Sequence, residues 1–249
     1  MFTELDKRKN KLFLILGTFF LTNAIVAEFI GAKIFSLEAT LGINPFNIHL
    51  FGETNSFNMT AGVILWPFVF IMTDIINEYF GKDGVRKLSY LTVIMLIYSF
   101  VMVRVAMGLK GANFWIGSGS KNGITDMSSA YNSVFGAGLM IIIGSLVAFL
   151  VGQMVDAFIF TKIKDKTNNK FIWLRATGST VVSQFIDSYV VLIIAFYIGD
   201  KFSFKQVMAI GTINYIYKLI MSVVLLPLLY FVHGIIDRFL GKENESIRI

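Results

Sequence analysis

Apolar positions along the chain gather into six long runs, at about residues 12–29, 59–79, 88–109, 134–160, 172–198 and 207–232. A bilayer core about 30 Å thick needs roughly 20 apolar helical residues rising 1.5 Å each. The pattern therefore predicts an all-α integral membrane protein, a single transmembrane domain built as a bundle of six transmembrane helices. The first run follows Lys7, Arg8, Lys9 and Lys11, which is also how a signal peptide begins. Apolar residues continue through Ile25, Val26, Phe29 and Ile30 without an obvious small-x-small cleavage site, which favours a retained helix.

Composition supports lipid as the solvent: 55% of the 249 residues are hydrophobic and 15% charged, against about 25% charged in a soluble domain. Cysteine is absent, which excludes a disulfide framework, a thiolate metal site and a cysteine nucleophile. The positions of the basic residues then set an orientation. The N-terminus, the loop after Tyr79, the loop after Phe160 (with Arg175) and the C-terminus together hold 15 Lys and Arg, while the other three loops hold five, Lys33, Lys110, Lys121, Lys201 and Lys205. Positive charge stays inside, so both termini are expected in the cytoplasm, and the net charge of +6 serves topology rather than nucleic-acid binding. The glycine-rich "GSGSKNG" at 117–123 lacks phosphate-loop spacing and reads as an external loop.

Seven charged residues remain in or near the spans: Glu28, Asp74, Glu78, Arg104, Asp156, Asp187 and Lys218. A charge at bilayer depth costs about 2.5–3.5 kcal/mol on insertion scales, so such residues face a bundle interior or a cavity. Glu28 and Arg104 each lie 16 positions into an outward-running span, and equal depth suggests an ion pair. Glu78, beside Lys82, could be an interfacial acid. Thr177, Thr180, Gln184 and Asp187 form a polar stripe on the fifth span, and Asn214, Lys218 and Ser222 form one on the sixth. The fourth and fifth spans share a Gln-x-x-Asp pattern, Gln153 with Asp156 and Gln184 with Asp187.

Such a set suits a planar heterocycle. A carboxylate accepts two parallel N–H bonds from a guanine-like ring, and Gln153, Gln184, Asn214 and Lys218 can donate to its carbonyl and ring nitrogen. Phe185, Tyr189, Tyr215 and Tyr217 could stack on its faces, although most aromatics in a chain with 25 Phe simply pack or meet lipid.

The segments "TDIINEYFGKDGVRK" (73–87), "SLVAFLVGQMVDAFIF" (145–160), "WLRATGSTVVSQFIDS" (173–188) and "INYIYKLIMSVVLLPLLY" (213–230) resemble the bacterial queuosine precursor transporters, a vitamin-uptake-like family. The resemblance implies a six-helix inner-membrane protein importing 7-deazaguanines such as 7-cyano-7-deazaguanine. By that likeness Asp74, Glu78, Gln153, Asp156, Arg175, Ser183, Gln184, Asp187 and Lys218 occupy motif positions. Many members carry an Arg after the "VFG" that opens the fourth span, where this chain reads "VFGAGLMIIIGS"; Arg104 would then supply the charge, and the departure bears on substrate preference.

The expected substrate site is therefore Gln153, Asp156, Gln184, Asp187, Asn214 and Lys218. Asp74, Glu78 and Arg175, at the inner mouth, and Glu28 with Arg104 are expected to gate or to couple protons. The expected partners are a small 7-deazaguanine base and the bilayer, with a homo-oligomer compatible and no cofactor or metal. A second reading is a substrate-binding subunit energised by a separate ATPase module. A third, an intramembrane aspartyl enzyme, lacks the Gly-x-Gly-Asp context at Asp156 and Asp187, and His49 and His233 have no metal-site spacing.

Overall fold

The protein is described by a computed structural model covering residues 4–136, 139–168, 170–198 and 202–241. Lys201, Lys242 and Arg248, counted above, lie outside these residues, as do positions 137 and 138 of the expected fourth span. Helix α1 (Glu4–Ile30) leads into a segment built from β1 (Ile34–Ser36), α2 (Leu37–Leu41), β2 (Ile48–Leu50), β3 (Glu53–Asn55) and β4 (Asn58–Thr60). Then follow α3 (Trp66–Gly108), the short α4 (Asn113–Ile116), α5 (Met127–Phe135), α6 (Leu139–Lys166), α7 (Ile172–Leu192), α8 (Phe204–Val224) and α9 (Leu226–Leu240). Among the described residues five helical segments are long and apolar enough to cross a membrane: α1, α3, α6, α7 with its π-helical extension to Tyr197, and α8.

The second helical run starts at Trp66, with Pro67 fixing its first turn, and not at Met59. Residues around Met59 instead form β4, which pairs antiparallel with β1. Strands β2 and β3 make a hairpin whose turn residues Phe51 and Gly52 have φ of 54° and 84°, the left-handed geometry that a two-residue turn requires. These ribbons have three-residue strands, too short to leave an alternating pattern in the sequence. Glu38, fully enclosed, pins the segment by accepting the Phe57 N–H at 2.8 Å and the Ser36 hydroxyl at 3.2 Å. Burial opposes its charge, yet these bonds and backbone N–H groups hold its carboxyl below the ordinary range.

The bundle presents an apolar outer surface, and its interior holds polar and charged groups within apolar packing. Tyr90, Leu91, Ile94, Ile97, Tyr98 and Val101 on α3 are exposed, whereas Thr73, Asp74, Asn77, Gln153, Asp156 and Arg175 are buried. Apolar packing is kept where helices cross, as at Phe149, whose ring lies 6.1 Å from Phe20 and 5.7 Å from Trp66. Val134 and Phe135, expected to open the fourth span, belong to α5. The last run is divided at Leu225 into α8 and α9.

Helix α3 has 43 residues, about 65 Å of α-helix and twice a bilayer core. It is not straight: Gly81 has φ 68° and ψ 178°, a region open essentially to glycine alone. Lys82, Arg86 and Lys87, expected in a loop, lie at the start of its second half. No neighbour stands within 4 Å of where a Cβ on Gly81 would sit, so backbone strain alone decides its tolerance. Gly81→Ala should lower the melting temperature of the detergent-purified protein by at least about 3 °C, from a strain of about 1–3 kcal/mol, while Gly108→Ala, at an open position without positive φ, should leave it unchanged.

Candidate functional site: a polar core and the cavity beside it

Helices α3 and α6 are bonded in parallel register at an offset of 80 residues. Thr73 Oγ1 donates to Gln153 Oε1 at 2.6 Å, and Asn77 Nδ2 donates to the Ala157 carbonyl at 2.9 Å. Both contacts step by four residues, so one face of each helix carries them. Thr161 Oγ1 adds a bond to Asn77 Oδ1 at 3.2 Å. Helix α7 closes the third side, where Ser183 Oγ donates to Asp156 Oδ1 at 2.8 Å.

Charge concentrates at one end of this core. Glu78 Oε2 lies 2.8 Å from Arg175 Nη2 and 3.0 Å from Lys164 Nζ, and Lys164 also donates to the Glu78 carbonyl at 3.0 Å. Arg175 is 1% exposed, and its guanidinium carbon sits 5.5 Å over the Phe160 ring. Asp74 neighbours Asp156, Arg175 and Glu78, with Ser179 beside both aspartates. A buried guanidinium without counter-charges would be very costly, and two carboxylates of α3, Glu78 and Asp74, offset this one, while Asp156 of α6 stands beside Asp74. The structure thus brings together Asp74, Glu78, Asp156 and Arg175.

Asp187 and Lys218 form an ion pair between α7 and α8. Glu28 is turned toward Ser145 and Asp187, and Arg104 is exposed with no ion pair among the described residues. Equal depth did not make them neighbours, because α3 turns Arg104 to its outer face. Phe185, Tyr189 and Tyr215 pack on one another, with ring centroids 4.8 and 5.6 Å apart, and Tyr189 OH bonds Thr212 Oγ1 at 2.9 Å.

A cavity opens beside the polar core. Pro67, Phe70, Ile71 and Asp74 of α3 form one wall, and Ala176, Thr177, Thr180 and Gln184 of α7 another. Lys218 and Ser222 of α8, with Leu225 and the first turn of α9, complete it. Its empty space is about 440 Å³ with the mouth included, but the centre of a water-sized sphere can range over only about 20 Å³, enough for a water or two. A bicyclic base would enter only if the helices parted. Of the expected substrate residues, Gln184 and Lys218 line this cavity together with Asp74; Gln153, Asp156, Asp187 and Asn214 do not.

Sequence reasoning missed Thr73, Asn77 and Thr161; the signal for the first two was their spacing of four within an apolar run. It also missed a second polar cluster between α3 and α9, where Tyr79 OH lies 2.9 Å from His233 Nδ1 and 2.8 Å from Asp237 Oδ1. His233 and Asp237, four apart on α9, were the available signal. Among the described residues no group of three potential ligands could hold a metal ion.

Residues 60–232 match the sequence family described as "Putative vitamin uptake transporter". The chain is 28% identical over 189 residues to the "Probable queuosine precursor transporter" of Haemophilus influenzae, covering 73% of each protein. It is 29% identical over 189 residues to the protein of that name in Bacillus subtilis, covering 74% of this chain and 73% of the relative. It is 27% identical over 192 residues to the "Queuosine precursor transporter" of Escherichia coli, covering 76% and 79%. No solved structure matches the chain at a significant level.

Two double-mutant cycles separate the contacts that form from the one that does not. Glu78→Gln combined with Arg175→Gln should show a coupling of at least about 1 kcal/mol in unfolding, whereas Glu28→Gln and Arg104→Gln should add to within about 0.5 kcal/mol.

Proposed function

The chain belongs to the vitamin uptake transporter family, and from that membership we propose that it imports queuosine precursors, 7-deazaguanine bases, across the bacterial cytoplasmic membrane. Its relatives carry the name queuosine precursor transporter. The observation that carries the reading is the cavity: a pocket with apolar walls and buried hydrogen-bonding groups, inside a bundle whose outer surface is apolar. No nucleophile and base are paired among the lining residues, and this lining suits holding a small molecule, once the helices part, rather than transforming it.

In the same reading the bend at Gly81 divides α3 into two spans, giving six transmembrane helices with both termini in the cytoplasm. Asp74 then lies about 12 Å below the outer start of α3, while Thr177 and Ser222 belong to the cytoplasmic half. The cavity is an inward-side pocket in a closed state. Glu78, Arg175 and Lys164 form the inner gate, since they clamp α3, α6 and α7 at the cytoplasmic end of the path. The bundle works as a secondary carrier without a separate ATPase module.

A strain unable to make queuosine precursors, supplied with 7-cyano-7-deazaguanine or its aminomethyl relative, should regain queuosine in its tRNA when it carries this gene. Purified protein in liposomes should take up the base unaided. Restoration with neither base would overturn the substrate, and uptake dependent on added ATPase subunits would overturn the secondary-carrier mechanism. For orientation, Lys170→Cys in this cysteine-free chain should be shielded from an impermeant thiol reagent outside intact cells, and Asn122→Cys should react; the opposite labelling would reverse the topology.

A further inference from the structure

Three polar atoms without a hydrogen-bond partner belong to residues that line the cavity: Asp74 Oδ1, Gln184 Nε2 and Thr177 Oγ1. Asp74 and Gln184 are 4% and 2% exposed, so bulk water does not serve them. In a bilayer nothing outside the bundle offsets that loss. Asp156 Oδ2 and Gln153 Nε2 also lack partners, but neither residue lines the cavity. Arg175 Nε and Nη1 lack partners as well, but Arg175 does not line the cavity; the ion pairs nearby join Asp187 with Lys218 and Glu78 with Arg175 and Lys164.

We infer that Asp74 and Gln184 read the hydrogen-bonding edge of the transported molecule, with Thr177 as a third contact, and that the Asp187–Lys218 pair braces α7 against α8 without bonding it. The inference rests on the transport reading above and assigns the specificity within it. A carboxylate only accepts hydrogen bonds, and a side-chain amide can donate. The pair therefore selects a ring with adjacent N–H donors facing Asp74 and a carbonyl facing Gln184. Phe70 and Leu229, also in the walls, offer apolar surface to the ring faces. Because the Lys218 charge is already matched, an anionic ligand would meet the Asp74 carboxylate without a free cation, and the cavity favours an uncharged base over its phosphorylated forms.

The test compares chemical edits of the ligand with edits of the protein, using the full chain in liposomes and 7-cyano-7-deazaguanine as the probe. Wild type should prefer this base over the analogue whose exocyclic amine is replaced by hydrogen. Asp74→Asn should weaken apparent affinity for the base by about 10- to 150-fold, the range for a lost charged hydrogen bond, and should flatten the preference for the amine. Asp187→Asn should keep that preference even where its rate falls. Gln184→Leu should flatten the preference for the base over an analogue lacking the ring carbonyl, and this arm decides the matter if Asp74→Asn does not reach the membrane. Amine preference kept by Asp74→Asn or lost by Asp187→Asn, or carbonyl preference kept by Gln184→Leu, would overturn the assignment. Failure of the wild type to take up the base at all would instead overturn the transport reading.

Discussion

The buried guanidinium of Arg175 is the constraint from which the arrangement of the core follows. It lies on α7, it is nearly inaccessible, and its bonded partner Glu78 sits on α3 while Lys164 of α6 shares the same carboxylate oxygen. Three helices must therefore converge at one depth, and once they do, their faces are fixed. Thr73 then meets Gln153, Asn77 meets the Ala157 carbonyl, and Ser183 meets Asp156. Hydrophobic attraction contributes little between helices already surrounded by lipid, so side-chain bonds and close packing set which helix lies beside which. Small residues help: a Cβ on Gly144 of α6 would stand 3.1 Å from the Val191 carbonyl oxygen of α7, tighter than ordinary contact.

A consequence is that the core and the cavity are different places. The polar groups that bond α3, α6 and α7 to one another, Thr73, Asn77, Gln153, Asp156 and Ser183 among them, do not line the cavity. The cavity is displaced to the side of the core, between α3, α7, α8 and the start of α9. Asp74 belongs to both, next to Arg175 and Asp156 on one side and open to the cavity on the other.

Much of this was legible in the sequence because bilayer chemistry leaves strong marks. Long apolar runs announce spans, and Asp74, Glu78, Asp156 and Asp187 stand out against them. Of the polar stripe Thr177, Thr180, Gln184 and Asp187 the first three line the cavity on α7, and of Asn214, Lys218 and Ser222 the last two line it on α8. What failed was rotation about a helix axis. Residue counting gives depth, and Glu28 and Arg104 match in depth, but Arg104 faces outward. The two Gln-x-x-Asp pairs look equivalent in sequence, yet Gln153 serves a helix contact and Gln184 the cavity, because only the tertiary arrangement distinguishes inward faces. The β ribbons at 34–60 and the Tyr79–His233–Asp237 cluster depend on partners far apart in the chain, which no local pattern records.

The bend at Gly81 limits how the bundle can open. Phe80 and Lys82 belong to helices on either side of a single residue, so their Cα atoms can stand no more than about 7 Å apart. At this corner there is no slack, and the two halves of α3 cannot separate by sliding. They can only pivot about the glycine, like the arms of a compass. The division at Leu225 is a second joint one residue wide, and unlike Gly81 it lies in the wall of the cavity itself.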